Sequence, residues 1–414
     1  MSPSMSPLLR RLGVVPRINA AGTLTRLGGS LMEPEVLAAM HEAAACSLDI
    51  AELQSAASGV IAAATHAEAG IVTSGAAAGL TLATAACLAG WDVSRLAVLP
   101  DTRAMPNRVL MARTHRNAYD RAIRLAGAEI VDIGHNDRGT GAGVRGLEDW
   151  EIEAARDERT AAMVFVATRE TAPELPHIAQ CTRRLALPLI VDAAAQLPPR
   201  RNLHAFIDAG ADLVVFSGGK AIGGPQASGI LAGRRPLIGS ALLQMMDMDV
   251  HPQTWSPASL IDRAALRGIP HHGIGRGFKV GKEEIAGLIV ALERFVAQDE
   301  PARAAALTRR LEAIAAALEG APGLRTQLVP ALPDAPVPLL ELAFEGSEAF
   351  GGSAREVSAR LQRGDPPVHL GERGVDAGIL SVNPSTLRPE DDAVLARCVR
   401  QALAVMRAGH NDLA

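Results

Sequence analysis

From about residue 35 to residue 235, short apolar runs of strand length alternate with longer helical stretches, and the runs carry no polar alternation. Seven strands are read here. They are Gly70-Ile71-Val72, Leu96-Ala97-Val98-Leu99, Glu129-Ile130-Val131-Asp132-Ile133, Ala162-Met163-Val164-Phe165-Val166, Leu189-Ile190-Val191, Leu213-Val214-Val215-Phe216 and Gly229-Ile230-Leu231-Ala232. Helices are expected over 76–88, 115–126 and 178–185. A strand that is apolar on both sides needs cover on both faces, and intervening helices supply it. The predicted fold class is therefore α/β, a mainly parallel seven-stranded sheet with helices on both faces. Ligands of such sheets sit at the carboxyl ends of the strands, so polar residues just after each run are the first candidates for function.

After residue 280 the pattern changes. Helical stretches over 283–298, 301–318, 354–361 and 389–406 enclose strand-like residues 339–344, which reads as a smaller α+β C-terminal domain. The expected division is an N-terminal segment 1–34, a large domain 35–270 and a small domain 271–414. A chain of 414 residues exceeds what one core usually organises, in keeping with that division. A net charge of −4 gives no overall basic surface for nucleic acid. No apolar run approaches a membrane span, and the N-terminus lacks the charged and apolar regions of a signal peptide. Cys46, Cys87, Cys181 and Cys398 lie far apart, with no CxxC pair. They are expected to be buried thiols in a reducing, cytoplasmic compartment, with no metal site.

The 41 basic residues include only three lysines, Lys220, Lys279 and Lys282. Arginine supplies generic positive charge in this chain, so a retained lysine is a candidate for chemistry that arginine cannot perform, such as imine formation. Chance is the competing explanation for any one of the three.

Three strand ends carry candidate chemistry. Thr73-Ser74-Gly75-Ala76 follows the first run and opens a helix, where backbone N–H groups form an anion site; simple helix capping by Ser74 is the alternative. Asp192 follows Leu189-Ile190-Val191. A carboxylate there is costly to bury unless paired, so it suits either a helix N-cap or the partner of a buried cation such as a pyridinium nitrogen. Ser217-Gly218-Gly219-Lys220 follows the sixth run, where desolvation would lower the amine pKa and make it nucleophilic. The paired glycines are expected to let backbone approach a ligand. Between Asp192 and Lys220 there is room for one helix and one strand, which brings both side chains to one sheet edge. A phosphate cradle, a pyridinium partner and an imine-forming lysine together describe pyridoxal 5'-phosphate.

Over most of its length the sequence resembles the fold-type-I pyridoxal-phosphate-dependent enzymes. It resembles in particular the branch related to seryl-tRNA selenium transferase and its glucosaminate-6-phosphate ammonia-lyase-like members. The resemblance is carried by Ile18-Asn19-Ala20-Ala21-Gly22-Thr23-Leu24-Thr25, by Ser217-Gly218-Gly219-Lys220-Ala221-Ile222-Gly223-Gly224-Pro225-Gln226-Ala227, and by Gly275-Arg276-Gly277-Phe278-Lys279-Val280-Gly281-Lys282-Glu283-Glu284. It implies the fold-type-I transferase fold, Lys220 as the Schiff-base lysine and Asp192 as the pyridinium partner. It also implies Ser74, Gly75 and Ala76 around the phosphate with Ser217 assisting, and Ala194 against the ring. His115 is a candidate for stacking on the other ring face, with a helix-capping role as the alternative. Arg276 is read as an anion contact, to substrate or to a neighbouring subunit's cofactor. Arg388 is the alternative clamp for a substrate carboxylate, with plain surface exposure as the competing reading. Lys279 and Lys282 are assigned to structural or interface pairs.

The reaction implied is α-deprotonation followed by β-elimination of the ammonia-lyase type, on an amino acid or amino-sugar acid. An aminotransferase, racemase or other transferase is the enzyme alternative, with selenium transferase less favoured, since those chains carry an extra N-terminal domain. The non-enzyme alternative is a pyridoxal-phosphate-binding regulator. The expected partners are a small-molecule substrate and further copies of this chain, a homodimer or larger, with no nucleic acid and no membrane.

Overall fold

The structure is a computed structural model that describes residues 6–136, 146–345 and 352–411. The chain forms two compact units, one spanning Met32–Ala297 and the other joining Met1–Leu31 to Gln298–Ala414. The N-terminal part of the smaller unit contains α1 (Pro7–Leu12) and β1 (Ile18–Ala20). The larger unit begins with α2 (Pro34–Ala44), α3 (Ile50–Thr65), β2 (Ala69–Thr73), α4 (Ala76–Ala89), α5 (Val93–Val98) and β3 (Arg108–Ala112). It continues with α6 (Asp120–Leu125), β4 (Glu129–Ile133), α7 (Asp149–Ala155), β5 (Thr160–Val166), α8 (Leu175–Arg184) and β6 (Leu189–Asp192). α9 (Asn202–Asp208), β7 (Leu213–Ser217), β8 (Gly229–Gly233), α10 (Arg235–Met245) and α11 (Lys282–Ala297) complete it. The expected break at residue 270 falls inside this unit, because α11 packs on α2 and α3.

The seven strands of the larger unit lie in the order β2-β8-β7-β6-β5-β3-β4. Only β8 runs against its neighbours; the contiguous set β7-β6-β5-β3-β4 is parallel. Strands β2, β6 and β8 are buried at every residue, and Phe165 and Phe216 are among the largest fully buried side chains. Uniform burial is why these strands read as unbroken apolar runs. It also directs the polar residues that follow them to the carboxyl edge.

One of the seven expected strands is misplaced. Leu96-Ala97-Val98-Leu99 is not a strand; its first three residues belong to α5. The Asp92 carboxylate caps that helix by accepting from the Ser94 and Arg95 N–H groups at 2.9 and 3.3 Å. Leu96 is buried while Val98 is 50% exposed, so the run has one dry face and not two. The missing member is β3, which sits between β4 and β5. It begins with Arg108, whose guanidinium pairs with Asp157 and, at 3.5 Å, with Glu129. The helix expected over 115–126 is also shorter. A 3-10 turn at Arg113–His115 comes first, and α6 starts only at Asp120.

The remainder of the smaller unit comprises α12 (Glu300–Leu318), β9 (Leu324–Val329), β10 (Leu339–Phe344), α13 (Ala354–Gln362), β11 (Val368–Leu370), β12 (Ile379–Val382) and α14 (Asp392–Asn411). β12, β10 and β9 form an antiparallel sheet, and β1 pairs in parallel with β11. Ile18, Ala20, Val368 and Leu370 join Leu311, Leu340, Val357, Leu395 and Val399 in a separate core. Among the described residues no helix is long and apolar enough to cross a membrane.

Candidate active site

The carboxyl edges of β6 and β7 bring Asp192 and Lys220 together. The strands are paired in parallel register, with Asp192 opposite Val215. Asp192 is 8% exposed, and one of its oxygens accepts the Ala194 N–H at 3.0 Å. No helix follows it, so the carboxylate closes a turn and is not a helix cap. Burial pushes the Asp192 carboxyl above its ordinary range, opposed by the Ala194 N–H and the Lys220 charge. Burial likewise pushes the half-buried Lys220 amine below the usual lysine value, opposed by Asp192. In both groups desolvation outweighs the mutual attraction, so each gains from a further opposite charge or from becoming neutral.

Lys220 is fixed by the loop that carries it. The Gly218 N–H donates to the Ser228 carbonyl and the Gly224 N–H to the Gly218 carbonyl, both at 2.9 Å. A Cβ on Gly218 would lie 2.2 Å from Ser228 Oγ, and one on Gly219 would lie 2.6 Å from Gln226 Cα. The two glycines are therefore required by the loop's own packing, a different reason from the expected approach to a ligand. Ser217 ends β7 opposite Gly229 of β8 and is partly buried.

The turn from β2 into α4 lies on the far side of β8 from β7. Its N-cap is Gly75, at φ 142°, and no side chain caps the helix. The Ser74 hydroxyl donates instead to the Phe278 carbonyl at 2.7 Å, so Ser74 does not cap α4. Its one proton is committed there, which leaves the backbone N–H groups of the α4 first turn as the donors available to an anion. The turn rests on Gly229, where a Cβ would lie 2.6 Å from the Gly75 carbonyl carbon and 2.8 Å from the Ala76 nitrogen. Phe278 contributes through its backbone, and no residue-type signal in the sequence marks it.

His115 lies just past β3 and is 5% exposed. Its Nδ1 accepts the Val166 N–H at 3.3 Å, and its ring meets Phe165 edge-on at 4.7 Å. This contact places the proton on Nε2 and rules out the helix-capping role. Burial lowers its pKa to about 4, so the ring is neutral at physiological pH. Ala194 is partly buried in the turn after Asp192. Arg276 lies in the 3-10 segment Ile274–Phe278 and donates to Asp247 at 2.7 Å, so its charge already has a partner. Arg388 is exposed in the smaller unit, at the start of a 3-10 turn. Of the two other lysines, Lys279 is exposed. Lys282 donates to the carbonyls of Ala43, Ala44 and Cys46, at 2.5 Å for Ala43 and 3.2 Å for Ala44. Cys181 and Cys398 are buried, Cys87 is partly buried and Cys46 is exposed; all four are free thiols. The expectation of four buried thiols fails at Cys46, which follows the C-terminus of α2.

No family model matches the chain. It is 30% identical to the D-glucosaminate-6-phosphate ammonia lyase of Salmonella typhimurium over 406 residues, covering 96% of this chain and 98% of that one. The chain belongs to the same family, the fold-type-I pyridoxal-phosphate-dependent enzymes. It is also 31% identical to a 5'-C-glycyluridine monooxygenase-decarboxylase of a Streptomyces species, covering 95% of this chain and 91% of that one. A solved structure of a D-glucosaminate-6-phosphate ammonia-lyase superposes with a TM-score of 0.81 at 28% identity, covering 98% of this chain and all of the other. A serine palmitoyltransferase superposes with a TM-score of 0.52 at 14% identity, covering 95% of this chain and 88% of the other, and shares the fold.

The family's cofactor, pyridoxal phosphate, fits the residues present. Asp192 is a buried carboxylate coupled to one amine, Lys220 has a lowered pKa, and the α4 N-terminus is uncapped by side chains. These are the three groups that a ring nitrogen, an aldehyde and a phosphate require.

Proposed function

We propose that the protein is a pyridoxal-phosphate-dependent lyase of the ammonia-lyase type, acting on an amino acid or amino-sugar acid. The reading is carried by one observation: a half-buried amine of lowered pKa, Lys220, faces a buried carboxylate, Asp192, at the ends of two paired parallel strands. The relatedness to an ammonia lyase over nearly the whole of both chains supplies the reaction class.

Lys220 Nζ is the attachment point for the cofactor aldehyde. Asp192 holds a negative charge against the ring nitrogen and keeps it protonated. The α4 N-terminus, with Gly75 and Ala76, receives the phosphate, assisted by Ser217 and by Ser74 if its proton leaves Phe278. Ala194 and His115 bound the two ring faces; a neutral His115 adds no charge there. When bound, pyridoxal phosphate supplies an electron sink that weakens the bonds at the substrate's Cα. Lys220 Nζ would take the α-proton and return one to the Cβ hydroxyl, which would leave as water; the released enamine would tautomerise to an imine that one water hydrolyses to ammonia and a 2-oxo acid. Arg276 exchanges Asp247 for a substrate or cofactor anion, with Arg388 as the second clamp. The working unit is a homodimer or larger assembly in the cytoplasm, where four free thiols remain reduced.

The test is release of ammonia and a 2-oxo acid from a panel of D- and L-amino acids that includes D-glucosaminate 6-phosphate. Its counterpart is oxygen uptake with release of carbon dioxide from a glycyl-nucleoside, the reading favoured by the second relative. Oxygen-dependent decarboxylation without ammonia release would displace the lyase reading. Sedimentation of a fully active monomer would displace the assembly.

A further inference from the structure

The face of the β1–β11 pair opposite the small-unit core carries an unusual set of polar groups. Ile18, Ala20, Val368 and Leu370 point into that core. Side chains alternate along a strand, so Arg17, Asn19 and His369 occupy the other face. His369 lies opposite Asn19 in the ladder and is only 6% exposed, although it faces away from the core. Its Nδ1 lies 3.5 Å from Arg26 Nη1. A guanidinium has donors and no acceptor, so His369 Nδ1 is the acceptor and the ring proton sits on Nε2. That buried Nε2 has no hydrogen-bond partner among the described residues. A buried donor left unmade costs about 1–3 kcal/mol, which is unusual enough to require an explanation.

The charges around the ring indicate what the missing acceptor is. Burial, Arg26 and Arg17 all push the His369 pKa down, opposed only by Glu372. Glu372 Oε1 accepts from Ser358 Oγ at 2.6 Å and Gln362 Nε2 at 2.8 Å, and the Glu372 carboxylate stands 4.0 Å from Arg26. The amide of Asn19 is spent locally, on the Gly22 carbonyl and the Ala21 N–H, both at 3.0 Å. A neutral N–H donor flanked by two guanidinium groups suits an anionic oxygen.

We propose that His369, Arg26 and Arg17 form an oxyanion-binding subsite, in which His369 Nε2–H donates to a carboxylate or phosphate oxygen of a small acid while the two arginines neutralise it. The subsite deepens the lyase reading, and rests on it only in that the acid would be the substrate's.

The test uses the full-length, cofactor-loaded protein, so that inorganic phosphate does not simply fill the cofactor's phosphate cradle. Inorganic phosphate and, separately, acetate are titrated while imidazole signals are followed by 1H–15N NMR, with His369 assigned by its loss in His369→Asn. The expected result is a saturable shift of the His369 Nε2–H signal. His369→Leu should weaken that binding about tenfold, measured by calorimetry, as loss of one charge-assisted hydrogen bond implies, and Arg26→Gln should weaken it through loss of a neutralising charge. His369→Asn, which keeps an N–H donor, should recover most of the affinity; a purely structural histidine would show no such recovery. Tighter phosphate binding assigns the subsite to a phosphate group, and acetate binding of equal or greater strength assigns it to a carboxylate. A His369 signal insensitive to both anions, or equal affinity in the wild type, His369→Leu and Arg26→Gln, would overturn the subsite. The readout needs no turnover, so absence of ammonia release would count against the lyase reading alone.

Discussion

Lys220 and Lys282 are two of only three lysines in the chain, both are withdrawn from full solvent exposure, and they meet opposite surroundings. Lys282 is held by three backbone carbonyls at the C-terminal end of α2, where a helix's unpaired acceptors and its dipole favour a cation. Lys220 stands after two glycines at the end of β7, with burial lowering its pKa and one carboxylate, Asp192, opposing that shift. The first site occupies the ammonium with carbonyl acceptors and sets the Glu283 carboxylate 3.6 Å from it. The second leaves the amine closer to neutrality, the form that attacks an aldehyde. Scarcity of lysine marks both residues equally; the strand end before Lys220 and the surroundings of each residue separate them.

The sharpest way to break this contrast is substitution of the two lysines. Lys220→Ala should abolish cofactor attachment and lower turnover by about 10³-fold or more, with the melting transition retained, as read by absorbance, activity and calorimetry. A reducible covalent adduct surviving in Lys220→Ala would transfer the role elsewhere. Asp192→Ala should cost about 10²-fold or more in turnover and weaken cofactor retention, measured by steady-state kinetics and equilibrium dialysis. Lys282→Met should leave the absorbance of the cofactor-loaded protein intact and destabilise the fold by about 1–3 kcal/mol in urea unfolding, since three carbonyls lose a charged donor.

A smaller effect tests the electrostatics directly. In the cofactor-free protein, Lys220 should react with acetic anhydride at lower pH than an exposed lysine. Because Asp192 raises the Lys220 pKa, Asp192→Asn should move that profile further down, as read by mass spectrometry. An upward shift would mean that Asp192 does not stabilise the ammonium. Among neutral side chains, His115 supplies the matching control. Its pKa is lowered from 6.5 to about 4, so the folded state binds fewer protons than the unfolded state between those values. Its contribution is fully present above pH 6.5 and declines as pH falls towards 4, by up to about 3 kcal/mol. His115→Gln should flatten that part of the stability–pH curve.

Much of the larger unit was legible because its information is local. Runs such as Leu189-Ile190-Val191 and Leu213-Val214-Val215-Phe216 are apolar throughout, and the strands they form are buried on both faces. The same rule misled at Leu96-Ala97-Val98-Leu99, where Asp92 caps a short helix, and passed over β3, whose first residue is an arginine paired with distant carboxylates. Gly218 and Gly219 were legible as necessary, but their reason is contact with Ser228 and Gln226. Ser74 was legible as a strand-end hydroxyl, and its bond to the Phe278 carbonyl, 204 residues away, was not.

By itself, the sequence determined the α/β alternation, the strand ends on which Asp192 and Lys220 stand, and the family to which the pattern is related. These follow from hydrophobic period and from residues adjacent in the chain. Tertiary structure alone decided which lysine meets backbone carbonyls and which a buried carboxylate, and that His369 Nε2 has no hydrogen-bond partner among the described residues. What a side chain meets depends on burial and on groups brought near by folding, and those neighbours lie 28 residues away for Lys220, more than 230 for Lys282 and 343 for His369.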